Sequence, residues 1–129
     1  MDKLGNLDGT AAACGVFKMG IVWKLSPADR ETVLYNFKGG PSDGALPQVG
    51  VIMDAQGNLY GDTFLCGSGN GTVYKLSPHR KLTLLHIFAG SPGGQYPHGQ
   101  LIRDAKGTLY GTTYQGGSGK FGTAWQIIK

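Results

Sequence analysis

A chain of 129 residues, 40% of them hydrophobic, is long enough for one domain and apolar enough for a core. Gly accounts for 23 residues, but without a Gly-X-Y period, which excludes collagen, and no apolar run reaches the ~18 residues of a membrane span. The formal charge of +4 comes from Lys and Arg scattered along the chain, which argues against a nucleic-acid reader, and two cysteines without a Cys-x-x-Cys pair exclude a disulfide scaffold or a zinc site.

In chain order, Gly5-Asn6-Leu7-Asp8-Gly9-Thr10 is the first recognisable element. It returns as Gly57-Asn58-Leu59-Tyr60-Gly61-Asp62 and as Gly107-Thr108-Leu109-Tyr110-Gly111-Thr112. Next comes Gly20-Ile21-Val22-Trp23-Lys24-Leu25-Ser26-Pro27, matched by Gly71-Thr72-Val73-Tyr74-Lys75-Leu76-Ser77-Pro78 and by Gly122-Thr123-Ala124-Trp125-Gln126-Ile127. Thr32-Val33-Leu34-Tyr35-Asn36-Phe37 then matches Thr83-Leu84-Leu85-His86-Ile87-Phe88. Trp23, Tyr74 and Trp125 are 51 and 51 residues apart. A period near fifty is a repeat architecture.

The complete middle unit predicts strands at 49–53, 58–63, 72–77 and 82–88. The turn Asp54-Ala55-Gln56-Gly57, matched by Asp104-Ala105-Lys106-Gly107, reads as a hairpin. Asp at its start bonds local backbone amides. Ile21/Trp23/Leu25, Thr72/Tyr74/Leu76 and Thr123/Trp125/Ile127 alternate with period two, the strand signal. Their central aromatics are expected between sheets. No segment carries a helical period. The reading is all-β, a β-propeller-type repeat of about three four-stranded blades, two of them incomplete. Blade 1 spans about 1–40, blade 2 about 47–91 and blade 3 about 97–129 of a single repeat domain. It closes by oligomerisation or is a fragment of a larger propeller.

Gly-Thr-Val-Tyr-Lys-Leu-Ser-Pro at 71–78, Leu-Leu-His-Ile-Phe at 84–88 and Asp-Ala-Lys-Gly-Thr-Leu-Tyr-Gly-Thr-Thr at 104–113 together resemble the GloVer-repeat family of bacterial tandem-repeat proteins. The resemblance covers almost the whole chain. It implies a propeller-like fold and an extracellular or cell-surface setting, although this chain carries no signal peptide. It transfers no catalytic residue. Asp8, where the other units have Tyr60 and Tyr110, departs from the pattern.

His98 aligns with Gln48, each following a repeated proline, Pro97 and Pro47. That position starts an inner strand near a propeller's central opening. Asp43, Asn70, Tyr114 and Gln115 are read as exposed loop groups on the face shared by the second-to-third-strand loops and the unit-to-unit loops, around His98 and Gln48. Gly67-Ser68-Gly69 is not a nucleophile elbow, which needs Gly-x-Ser-x-Gly between strand and helix. Cys14 and Cys66 align and are expected as free thiols. No catalytic residue, metal or cofactor is assigned.

The function expected is a non-enzymatic recognition or surface-structural module that binds a glycan, peptide or protein partner through its loop face. The alternative is a propeller-scaffold hydrolase or lyase with a funnel site near His98. Homo-oligomerisation is expected, with a dimer closing a six-bladed ring as the first expectation. In that picture Asp8 polarises one open end, and Tyr110 and Trp125 stand at the other.

Overall fold

The computed structural model describes residues 1–66 and 69–128. Gly67, Ser68 and Lys129, and with them the glycine-serine pair weighed as a nucleophile turn, lie outside the described residues. Among the described residues there are thirteen strands and no helix.

The first unit is a three-stranded antiparallel sheet of β1 (Leu7–Ala11), β2 (Ile21–Leu25) and β3 (Glu31–Asn36), in that order. The second contains β5 (Ile52–Met53), β6 (Leu59–Thr63), β8 (Thr72–Leu76) and β9 (Leu82–Ile87), also in order. In the third, β12 (Leu109–Gly116) pairs with β13 (Thr123–Ile127) on one edge and with β10 (Gly94–Pro97) and β11 (Ile102–Arg103) on the other. β4 (Gly44–Ala45) and β7 (Leu65–Cys66) form a separate two-stranded ribbon. None of these sheets closes on itself.

The predicted strands lie where expected except the first of each unit. The segment expected at 49–53 is a strand only at Ile52–Met53, and its match only at Ile102–Arg103. The Val49 carbonyl accepts a hydroxyl proton from Thr10 of the first unit instead of joining a ladder. Gly99, at φ +113°, turns the backbone out of the extended region.

Each sheet uses its two faces differently. Val22, Phe37, Leu59, Tyr74 and Leu76 form one buried cluster, between the first and second units. Tyr60, Val73, Phe88, Leu101 and Leu109 form the other, between the second and third. Period two sorts them: Leu59, Tyr74 and Leu76 point back to the preceding unit, whereas Tyr60 and Val73 point forward to the following one. Tyr74 is fully buried. Trp23 and Trp125 are only half-buried, so the expected burial holds completely at the middle unit alone.

Two assignments for the ends are corrected. Asp8 does not face an open end. It opposes Lys24 across the ladder and lines a cavity with Val51, Ile52, Met53 and Leu59 of the second unit. Trp125 likewise points inward, its ring 5.8 Å from that of Phe88. The alternation puts Leu7 and Trp23 on the outer face of the first sheet, and Tyr110, Ala124 and Gln126 on that of the third.

Candidate functional site on the connecting loops

The loops between units are stitched to the hairpin loops on either side. Leu46 donates its N–H to the Met19 carbonyl of the first unit, and its own carbonyl accepts from the Phe64 N–H of the second. The equivalent Tyr96 donates to the Asn70 carbonyl. Both residues hold left-handed backbone, φ +56° and +58°, a conformation that costs a side-chain-bearing residue energy and persists only where its surroundings enforce it. For Tyr96 that conformation sets the ring 4.9 Å from Phe64, stacked at 19°. β4–β7 and β10–β12 pair each connector with the hairpin of the unit that follows it.

The sequence-derived residues fall unevenly on these loops. Gln115 is exposed and opposes Gln95, whose Nε2 donates to its Oε1 at 2.9 Å. Tyr114 is 66% exposed and occupies the position of Phe64. Asn70 is half-buried and engages the following unit through its carbonyl. Asp43 is a correction: expected as an exposed group, it is buried. Its carboxylate accepts from the Tyr35 hydroxyl and from the Lys38 and Gly44 N–H groups, so it holds the connecting loop from within. Burial, with the Asp43 charge beside it, pushes the Tyr35 phenol up to about 12.

His98 and Gln48 are both exposed, at equivalent places on successive units. His98 is anchored by its backbone, its N–H donating to the Thr112 carbonyl at 3.1 Å and its carbonyl accepting from Thr112 Oγ1 at 2.7 Å. Among the described residues no hydrogen bond joins His98 to Gln48. His86 packs edge-on to Phe88 at 4.7 Å. Cys14 and Cys66 are unpaired thiols.

Sequence reasoning missed Asp62. It occupies the position of Thr10 and Thr112, both of which donate their hydroxyl to a backbone carbonyl, that of Val49 or His98. Asp62 is 1% exposed, and neither carboxylate oxygen has a hydrogen-bond partner. Burial alone pushes its carboxyl up to about 7. The available signal was a carboxylate standing where two repeats carry a hydroxyl.

The other repeated carboxylates are structural. Asp54 Oδ1 accepts from the Gln56 and Asn58 N–H groups, and Oδ2 from Asn58 Nδ2 and the Tyr60 hydroxyl. Asp104 repeats the pattern with Lys106, Thr108 and Tyr110. This is the local amide bonding expected from the turn. In the first unit Asp8 removes the tyrosine, and Lys24 Nζ lies 3.5 Å from Asp2 and 3.6 Å from Asp8 instead. Asn6 and its backbone N–H draw the Asp2 carboxyl down to about 2. Burial raises Asp8, against the opposing pull of Lys24.

Among the described residues no three His, Cys, Asp or Glu side chains gather as a metal-ligand set, and no helix is long and apolar enough to cross a membrane. A family model described as the Gloeobacter/Verrucomicrobia repeat matches residues 1–129. No curated protein and no solved structure matches the chain.

Proposed function

We propose, for a chain that belongs to the Gloeobacter/Verrucomicrobia repeat family, a non-catalytic recognition module of propeller type, working outside the cell or at its surface. Its three units are blades, and another copy of the chain completes the ring. It binds a glycan, peptide or protein through the loop face. The observation that carries this reading is that each connector is bonded to the units on both sides of it: Leu46 bridges Met19 and Phe64, and in the second connector Tyr96 bonds Asn70 on one side while Gly94–Pro97 pairs with β12 on the other. Rigid loops on a scaffold present side chains at little ordering cost on binding. Tyr114, Gln115, Gln48 and His98 are exposed and Gln95 bonds Gln115, so these residues offer aromatic and hydrogen-bonding groups to such a partner.

A second reading, an enzyme on a propeller scaffold with hydrolase or lyase chemistry, is favoured by one observation. Asp62 is a buried, unpartnered acid whose proton leaves near neutrality, on the strand position whose counterpart Thr112 bonds the His98 carbonyl. Acids of that kind cluster at catalytic sites. The two readings separate on a glycan and peptide array run beside a broad hydrolase substrate panel. Binding that is lost in Gln115→Ala and Tyr114→Ala, without turnover, supports recognition. Turnover abolished by Asp62→Asn and His98→Ala overturns it.

A further inference from the structure

We infer that the outer face of the first sheet and the outer face of the third are two halves of one interface, and that the partner seated there is a second copy of this chain joined head to tail. The inference rests on the propeller reading above and adds the mating surfaces.

The chain itself shows what covers each kind of face. Leu59 and Leu109 are 4% and 2% exposed, each covered by the preceding unit, whereas Leu7 in the same position is 45% exposed. Leu84 packs against the cluster between the first and second units, whereas its counterpart Val33, the cross-strand partner of Trp23, stands 36% exposed. Leu76 is buried, and Leu25 only half-buried. The backward-pointing face of the first sheet is therefore the same surface as the two covered faces, without its cover.

The forward-pointing faces tell the same story from the other side. Val22 and Val73 are fully buried under the following unit, whereas Ala124 in their position is exposed. Ile52 packs against the cluster between the second and third units, whereas Ile102 is 65% exposed. Tyr60 is buried and Tyr110 half-buried.

In both covered junctions a valine-centred face meets an aromatic-centred one: Val22 with Tyr74, and Val73 with Trp125. The two uncovered faces are one of each kind. Trp23 exceeds Tyr74 in size and Ala124 falls short of valine, so the open pair exchanges volume between its two sides. Faces of opposite kind cannot pair with themselves in the register seen inside the chain. They pair first sheet to third sheet, and a two-fold ring satisfies both junctions at once.

The test is light scattering on the chain at micromolar concentration, with Val33→Glu on one face and Ala124→Glu on the other. Both positions are solvent-facing in the single chain, and circular dichroism checks that each variant keeps its sheets. The expected mass for the unaltered chain is twice 13.6 kDa. Either variant alone should fall to the monomer. An equimolar mixture of the two should recover association, because one junction then joins two unaltered faces. A monomeric unaltered chain overturns the inference and leaves these faces to further repeats on a longer polypeptide. Association that survives either variant overturns the head-to-tail pairing. Ligand binding measured on the monomeric variants is scored separately, so the recognition reading stands or falls on its own.

Discussion

The ring of Tyr74 lies across Gly61, its directly opposed cross-strand partner, so that a Cβ on Gly61 would meet the phenol oxygen at 2.5 Å. Trp23 covers Gly9 and Trp125 covers Gly111 in the same register. The glycine of each Leu-x-Gly segment is thus the floor on which the next strand's aromatic rests. Gly61→Ala should destabilise the chain by about 1–3 kcal/mol, the usual cost of overpacking a filled core. Urea denaturation should show a lower midpoint at an unchanged slope. An unaltered midpoint would mean the ring moves aside freely.

Tyr74 contributes bulk without a hydrogen bond. It is fully buried and its hydroxyl has no partner; burial, with Asp62 nearby, raises its pKa far above the usual phenol. Tyr74→Ala should cost about 3–5 kcal/mol. Tyr74→Phe removes an unsatisfied polar atom and should leave stability unchanged or higher. Thermal melts of the two variants give the answer, and a large loss in the phenylalanine variant would reveal a partner for the hydroxyl.

Asp54 ties its turn to the strand beyond it. Burial raises its pKa, but bonds from the Asn58 side chain and backbone, the Tyr60 hydroxyl and the Gln56 N–H outweigh that and hold the carboxyl below its ordinary range. Asp54→Ala leaves the buried Tyr60 hydroxyl without its acceptor and should cost about 2–4 kcal/mol. A folded pKa below the unfolded one gives stability that is fully present above the ordinary carboxylate value and is lost as pH falls from there through the lower, folded value. The gap between unaltered chain and variant should therefore narrow in acid. A gap constant from pH 7 to acid would place the stabilisation outside the charge.

The repeat made much of this fold legible. Equivalent residues at Trp23, Tyr74 and Trp125 located the third strand of every unit, and alternation fixed its faces. What stayed illegible depends on contacts between units. The first strand of the second unit is short, and the Val49 carbonyl ahead of it is taken by the Thr10 hydroxyl across a unit boundary. The direction of each face, forward or backward, decides whether Asp8 and Trp125 are internal, and one unit read alone carries no sign of it. Asp43 looked like an exposed loop acid because loop composition is polar on average. Its burial comes from Tyr35, eight residues away, reaching it through the fold. Asp62 was visible as a departure from threonine but meaningless until the carbonyls bonded by Thr10 and Thr112 were placed.

Tyr96 holds φ +58° while stacking on Phe64. The two effects can be separated. Tyr96→Ala loses the stack and keeps the left-handed cost, whereas Tyr96→Gly loses the stack and removes that cost. Glycine should therefore be the milder substitution, by about 1 kcal/mol. Equal melting temperatures for the two variants would show that the loop abandons its conformation once the ring is gone.

Asp62 makes stability depend on pH with the sign opposite to that of Asp54. Its counterparts Thr10 and Thr112 donate hydroxyl protons to backbone carbonyls. A carboxylate has no proton to donate, whereas a protonated carboxyl does. With the carboxyl pushed up to about 7 in the fold, against an ordinary 3.8, folding takes up a proton throughout that interval. A raised folded pKa on an acid gives stability that is full below the unfolded value, falls as pH rises, and levels off above the folded value. The slope should reach at most ~1.4 kcal/mol per pH unit between those limits. Asp62→Thr supplies the hydroxyl of the other two units without a titrating group. Its melting temperature should track the unaltered chain in acid and exceed it at pH 8, and Asp62→Asn should share the flatter profile. All other carboxylates are common to the three proteins, so the difference between the curves isolates this one. Parallel curves from pH 4 to 8 would show that Asp62 is ionised in the folded chain and that a donor or cation satisfies its two oxygens.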